Sequence, residues 1–173
     1  MSKPQNIILL WFTQIALALK HVHDHKVLHR DLKTQNVFLT KAGAIKLGDF
    51  GIAKCLSESI SKASTIVGTP YFLAPEIMKG NPYSYEADIW ALGVLLYELC
   101  SLKPPFVSSN IHGLAIQIVK GIYSPIPCFY STELKDLIGR LLIVEPSKRL
   151  KIKNILSIYH IRSPYNFKKI EAV

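Results

Sequence analysis

The stretch that most limits what this chain can fold into runs over residues 85–99. Ile89, Leu92, Gly93, Leu96 and Leu99 make it apolar nearly all round a helix. A helix without a polar face has to be buried by other elements. The cover is visible elsewhere. Ile8, Phe12, Ile15, Leu19 and Val22 recur at alternating spacings of four and three, the mark of one face of an amphipathic helix over residues 6–24. Leu134, Leu137, Ile138, Leu141 and Leu142 form a similar stripe within residues 131–144. Further helices are expected over 110–120 and 151–159. Strand-like runs at Val37–Leu39 and Ile45–Leu47 flank Lys41-Ala42-Gly43, a hairpin turn. Pro104-Pro105 breaks the chain after the central helix, and residues 55–75 are Ser/Thr-rich with no clear period. The predicted fold is mainly α with a small β-hairpin element.

The 173 residues suit one compact domain, and an apolar content of 49% excludes a disordered segment. The 21 Lys+Arg against 12 Asp+Glu make the chain basic. They are scattered from Lys3 to Lys169 without a long run, so a solvated basic domain is read, with no nucleic-acid partner. Cys55, Cys100 and Cys128 lie far apart with no C-x-x-C. That excludes a disulfide framework or a zinc site and suits a reducing, cytoplasmic setting. Residues 7–19 carry an apolar run ending in Ala16-Leu17-Ala18, like a signal peptide. Thr13-Gln14 interrupts it, however, and its period is helical. No apolar stretch is long enough to span a bilayer, and no membrane partner is expected.

Three constellations carry chemistry: His29-Arg30-Asp31-Leu32-Lys33-Thr34-Gln35-Asn36, Asp49-Phe50-Gly51 and Ala74-Pro75-Glu76. In this order and at these separations they resemble the catalytic loop, the metal-binding triplet and the end of the activation segment of eukaryotic protein kinases. The residue types suit phosphoryl transfer, which needs an oriented hydroxyl, neutralised phosphate charge and accurate positioning. Asp31 can accept the hydrogen bond and then the proton of an attacking hydroxyl. Lys33, two residues on, can offset charge on the transferring group. Asn36 offers a neutral oxygen to a hard cation such as Mg²⁺. The hairpin returns the chain so that Asp49 can join Asn36. An isolated D-x-K-x-x-N would be read as solvated turn residues. Asp49-Phe50-Gly51 thirteen residues after Asn36 removes that reading.

The resemblance implies more. Phe38 corresponds to the residue packing under the adenine ring, so Asn36, Phe38 and Asp49 are expected to bind ATP, with Mg²⁺ on Asn36 and Asp49. His29 and Phe50 correspond to the apolar stack that aligns the active form. Asp88 corresponds to the aspartate that hydrogen-bonds the catalytic-loop backbone, and Arg149 to the arginine that pairs with Glu76. Each has an ordinary alternative: Phe38 as core, Asp88 as a helix cap, Arg149 as a surface cation. Lys33-Thr34-Gln35-Asn36 and Gly68-Thr69-Pro70-Tyr71 are similar to serine/threonine kinases, with Thr69 in the substrate platform. Lys20-His21-Val22-His23-Asp24, Gln35-Asn36-Val37-Phe38-Leu39-Thr40 and Asp88-Ile89-Trp90-Ala91-Leu92-Gly93 resemble the NIMA-related kinases. Thr65 corresponds to the activation-loop phosphorylation position, clasped by Arg30 and Lys54, with an activating kinase or the kinase itself as modifier.

The expectation is the C-terminal lobe of a protein-kinase-like fold over residues 1–159, with a C-terminal extension over 160–173. No Gly-rich loop, strand lysine or helix glutamate of an N-terminal lobe is present in the sequence. The implied activity is Mg-ATP-dependent transfer to Ser/Thr hydroxyls of proteins, and the chain by itself is expected to be inactive. The alternative is a catalytically silent lobe that binds proteins. By resemblance alone, nuclear or cytoskeletal association is added to the cytoplasmic setting.

Overall fold

In the computed structural model the described residues are 3–48 and 71–158. Their elements are α1 (Gln5–Asp24), β1 (Val37–Leu39), β2 (Ile45–Leu47), α2 (Pro75–Met78), α3 (Tyr85–Ser101), α4 (Ile111–Lys120), α5 (Thr132–Leu141) and α6 (Ile152–Ile158), with short 3₁₀ turns at Thr34–Asn36 and Pro146–Lys148. This is a helical lobe with one two-stranded antiparallel sheet, the mainly α architecture expected from periodicity.

Helix α3 is the centre. It buries Ala87 through Tyr97 without interruption, because no polar face exists to keep part of it in water. Helices α1 and α5 pack against it, and α1 also covers β2 and α6. The predicted α1 stripe is inside: Ile8, Phe12, Ile15 and Leu19 are fully buried and Val22 nearly so. Gly93 permits the close crossing of α3 and α5, since a Cβ there would lie 2.8 Å from Leu141 Cβ. Cys100, on the buried side of α3, is a free thiol that burial pushes up to about 12. Among the described residues no helix is long and apolar enough to cross a membrane.

The helix expected over 131–144 ends at Leu141, with Leu142 as its C-cap. Ser131 caps its start by accepting from the Leu134 N–H. The hairpin pairs Val37 with Leu47, Phe38 with Lys46 and Leu39 with Ile45. Gly43 makes the turn at φ +81°, a conformation that favours glycine. The polar break in α1 has a structural use. Thr13 Oγ1 donates to the Leu9 carbonyl, and the Gln14 amide oxygen accepts the Ile45 N–H at 2.9 Å, fastening the hairpin to α1.

Candidate active site

The 29–36 loop lies between the end of α1 and the hairpin, and it is held from beneath by Asp88 in the first turn of α3. The Asp88 side chain is fully buried. Its Oδ2 accepts the His29 N–H at 2.9 Å, and its Oδ1 accepts the Arg30 N–H at 3.0 Å. Arg30 has φ +66°, a left-handed conformation that costs a non-glycine residue about 1 kcal/mol or more. Two backbone bonds to one buried carboxylate offset that cost. Two further donors complete the shell: His23 Nε2 to Oδ2 at 2.8 Å and the Tyr83 hydroxyl to Oδ1 at 2.9 Å. A buried carboxylate needs such partners, since desolvation without them would be prohibitive.

His29 is fully buried beside this network. Burial pushes its imidazole below the ordinary value, against the pull of the Asp88 and Asp31 carboxylates. Its Nδ1 accepts the Asp31 N–H at 3.4 Å, which turns the loop so that the Asp31 side chain leaves the core.

At the surface of the loop, Asp31 Oδ2 accepts from Lys33 Nζ at 2.7 Å and from Asn36 Nδ2 at 3.1 Å. Asn36 Nδ2 also donates to the Asp31 carbonyl at 2.8 Å. The Asn36 side chain is buried, and both of its amide protons are spent on Asp31. Among the described residues no hydrogen bond uses Asn36 Oδ1 or Asp31 Oδ1. The loop therefore presents a carboxylate oxygen, an ammonium and a neutral amide oxygen within one short turn. The donor set suits a hard cation: an amide oxygen can ligate Mg²⁺ while its NH₂ is held elsewhere. Phe38 is 51% exposed on β1, and its ring lies over Gly48, where a Cβ would sit 2.8 Å from Cε2. An exposed ring with glycine beside it fits a flat aromatic ligand.

The far end of the segment is tied down separately. Arg149, fully buried in its side chain, donates NH1 to Glu76 Oε1 at 2.7 Å and NH2 to Glu76 Oε2 at 2.6 Å. The same guanidinium donates to the carbonyls of Ile143, Glu86 and Val144 and lies 4.9 Å from the Trp90 ring centre. It is a core residue, and the reading of Arg149 as a surface cation is set aside. Asp88 likewise does not cap α3, whose N-cap is Ser84.

Asp49, Phe50, Lys54, Thr65 and Thr69 lie outside the described residues. Four other residues hold the site in ways not anticipated from the sequence. His23 and Tyr83 complete the Asp88 shell. Thr34 Oγ1 donates to Glu98 Oε2 at 3.1 Å, fastening the 3₁₀ turn to α3. Burial pushes the Glu98 carboxyl up, and this hydrogen bond opposes the rise. Burial is also the main reason the Tyr83 hydroxyl is pushed well above its ordinary value, with the Asp88 charge second, so it stays a neutral donor. Tyr83→Phe should keep the ring packing and remove one charge-assisted bond, destabilising the lobe by about 1.5–3 kcal/mol in urea unfolding. An unchanged midpoint would mean that the bond contributes nothing.

The chain matches the protein kinase domain family over residues 2–161. It is 50% identical over 149 residues to the mouse serine/threonine-protein kinase Nek1, covering 86% of this chain and 12% of that protein. Mouse Nek5 is 51% identical over 150 residues, covering 86% and 24% respectively. Mouse Nek4 is 44% identical over 162 residues, covering 94% and 20%. The chain thus spans at most about a quarter of the length of these relatives. With the match running through the 29–36 loop, α3 and Arg149, the chain belongs to the protein kinase family, on its NIMA-related serine/threonine branch.

Proposed function

We propose that these residues form part of the catalytic centre of a protein serine/threonine kinase that uses Mg-ATP. The observation that carries the reading is the division of labour at Asp31. Its Oδ2 is occupied by Lys33 and Asn36, and its Oδ1 is not used by any described residue. Oδ1 is the atom that accepts the hydrogen bond of a substrate Ser or Thr hydroxyl and then its proton as the oxygen attacks phosphorus. Lys33 stays within reach of the same carboxylate and places its ammonium where negative charge develops. Asn36 Oδ1, with Asp49, would hold Mg²⁺, and Phe38 would pack against the adenine. When bound, the metal and nucleotide supply charge neutralisation and the phosphoryl group itself. The fastening of Arg30 and His29 to Asp88 keeps Asp31 at a constant height above the core.

The substrate class is Ser/Thr side chains of proteins, supported by the names of the relatives and by the residues around Lys33. Phosphoamino-acid analysis of a peptide pool treated with the full-length protein and Mg-ATP should give phosphoserine and phosphothreonine. Mostly phosphotyrosine would overturn the assignment.

Regulation at Thr65 belongs to the same reading. The Arg30 side chain is exposed, and among the described residues it makes no ion pair. It is therefore available, beside Asp31, to a phosphate on Thr65, with Lys54 as second cation. Thr65→Ala should lower the activity of the full-length kinase strongly and Ser64→Ala less. Equal rates for phosphorylated wild type and Thr65→Ala would end the idea.

A further inference from the structure

Two imidazoles stand together at the C-terminal end of α1. His21 and His25 are four residues apart, so they share one face of the last turn. Their ring centres lie 4.4 Å apart, with the planes inclined at 49°. Both residues are exposed. The ordinary reading is a helix cap, since His25 Nδ1 lies 2.8 Å from the His21 carbonyl. A carbonyl only accepts, so Nδ1 carries the proton and Nε2 keeps its lone pair. The cap accounts for one nitrogen of one ring. It does not account for the His21 ring beside it, which makes no hydrogen bond among the described residues. Two exposed side chains are free to part into water, and holding them together costs rotamer entropy. A ring fixed through one N–H to a backbone carbonyl, with the other nitrogen turned out, is the usual arrangement of a metal-ligating histidine. Histidines at i and i+4 are spaced so that one helix face offers two nitrogens to one ion.

The ligand chemistry narrows the ion. Neutral imidazole suits Zn²⁺, Cu²⁺ and Ni²⁺. Mg²⁺ and Ca²⁺ take oxygen ligands, and the carboxylate between the two histidines in sequence, Asp24, is held by Lys20. A chain of net charge +9 offers a hard cation no general attraction. The end of α1 contributes a partial negative charge, which favours a cation there. Among the described residues no group of three His, Cys, Asp or Glu comes together around a metal position. The protein side of the shell is therefore two nitrogens. We propose that His21 and His25 form a site for a divalent transition ion, Zn²⁺ or Cu²⁺, with water completing the coordination. An ion held there would tie the last turn of α1 to residues 25–28, the connection that leads to His29 and the 29–36 loop. The site is distinct from the oxygen donor Asn36, and the inference does not depend on phosphoryl transfer.

The test titrates the 173-residue chain with Zn²⁺ by calorimetry and with Cu²⁺ by electron paramagnetic resonance, both in excess Mg²⁺. The tightest site should take one ion per chain, and the copper spectrum should show two nitrogen ligands. His21→Gln and His25→Gln should each weaken that site by about tenfold or more, at least the cost of losing an outer-shell partner. His112→Gln, on α4, should leave it unchanged. Both α1 positions are exposed, so without metal each variant should unfold at the wild-type midpoint. Added Zn²⁺ should then raise the midpoint of the wild type and of His112→Gln, and not that of the two α1 variants. No saturation by millimolar Zn²⁺, an affinity that neither α1 substitution moves, or an equal loss in His112→Gln would overturn the proposal. So would displacement of the ion by Mg²⁺, which would mean oxygen ligands.

Discussion

Asp31→Ala in the full-length protein should reduce kcat by about three orders of magnitude, within the usual range for a general base, with a much smaller change in KM for the peptide. Two things are lost at once. Oδ1 no longer accepts the attacking hydroxyl, and Oδ2 no longer holds Lys33 Nζ and Asn36 Nδ2. The loop itself should survive, because the bonds that set its backbone run from His29 and Arg30 to Asp88. Initial rates on a Ser/Thr peptide, with the unfolding midpoint measured alongside, separate chemistry from folding. Asp31→Asn sharpens the test: it keeps an oxygen that can accept from Lys33 but lacks the basic carboxylate, so it should remain close to the alanine variant. A loss of less than about tenfold for either would remove Asp31 from the reaction.

The largest effect on stability should come from Arg149→Ala, at about 3–5 kcal/mol, the usual cost of leaving one partner of a buried ion pair. Glu76 is only 7% exposed, so its carboxylate would be stranded. Three carbonyls would lose their donor, and the Trp90 ring its cation. Arg149→Lys should recover little of this, because one ammonium cannot reproduce a bidentate fork and reach the carbonyls as well. Joint replacement by Glu76→Gln and Arg149→Met should cost less than Arg149→Ala alone, since no buried charge is left unpaired. Urea unfolding of the three variants is the measurement. A change under about 1 kcal/mol for Arg149→Ala would mean that water replaces the guanidinium and that the pair does not anchor α2.

Both predictions concern residues whose identity stood out in the sequence, but for different reasons. Asp31, Lys33 and Asn36 sit within one short loop. Their grouping could be read because residues so close in the chain cannot be far apart in space. The helices could be read for a similar reason: burial on one face repeats at the pitch of the helix, as in Ile8, Phe12, Ile15 and Leu19. The hairpin followed from two short β-prone runs around a glycine turn.

The shell of Asp88 was legible only in part. Its tie to the catalytic loop came from resemblance. Nothing in the local pattern marked His23 or Tyr83 as the other two donors, because a histidine at the end of a helix and a tyrosine before one have ordinary uses. Thr34 and Glu98 are 64 residues apart, and their hydrogen bond exists only because α3 passes beneath the 3₁₀ turn. Arg149 could be paired with Glu76 by analogy. Its three carbonyl acceptors and its stacking on Trp90 could not, since backbone acceptors leave no trace in residue identity. The sequence by itself thus determined the closeness of Asp31, Lys33 and Asn36 and the helical periodicity. Only the tertiary structure decided which polar groups share the buried carboxylate of Asp88. The physical reason is that periodicity and motif spacing report contacts within a few residues. A buried charge is satisfied by whatever donors the packing of distant elements brings within hydrogen-bonding distance.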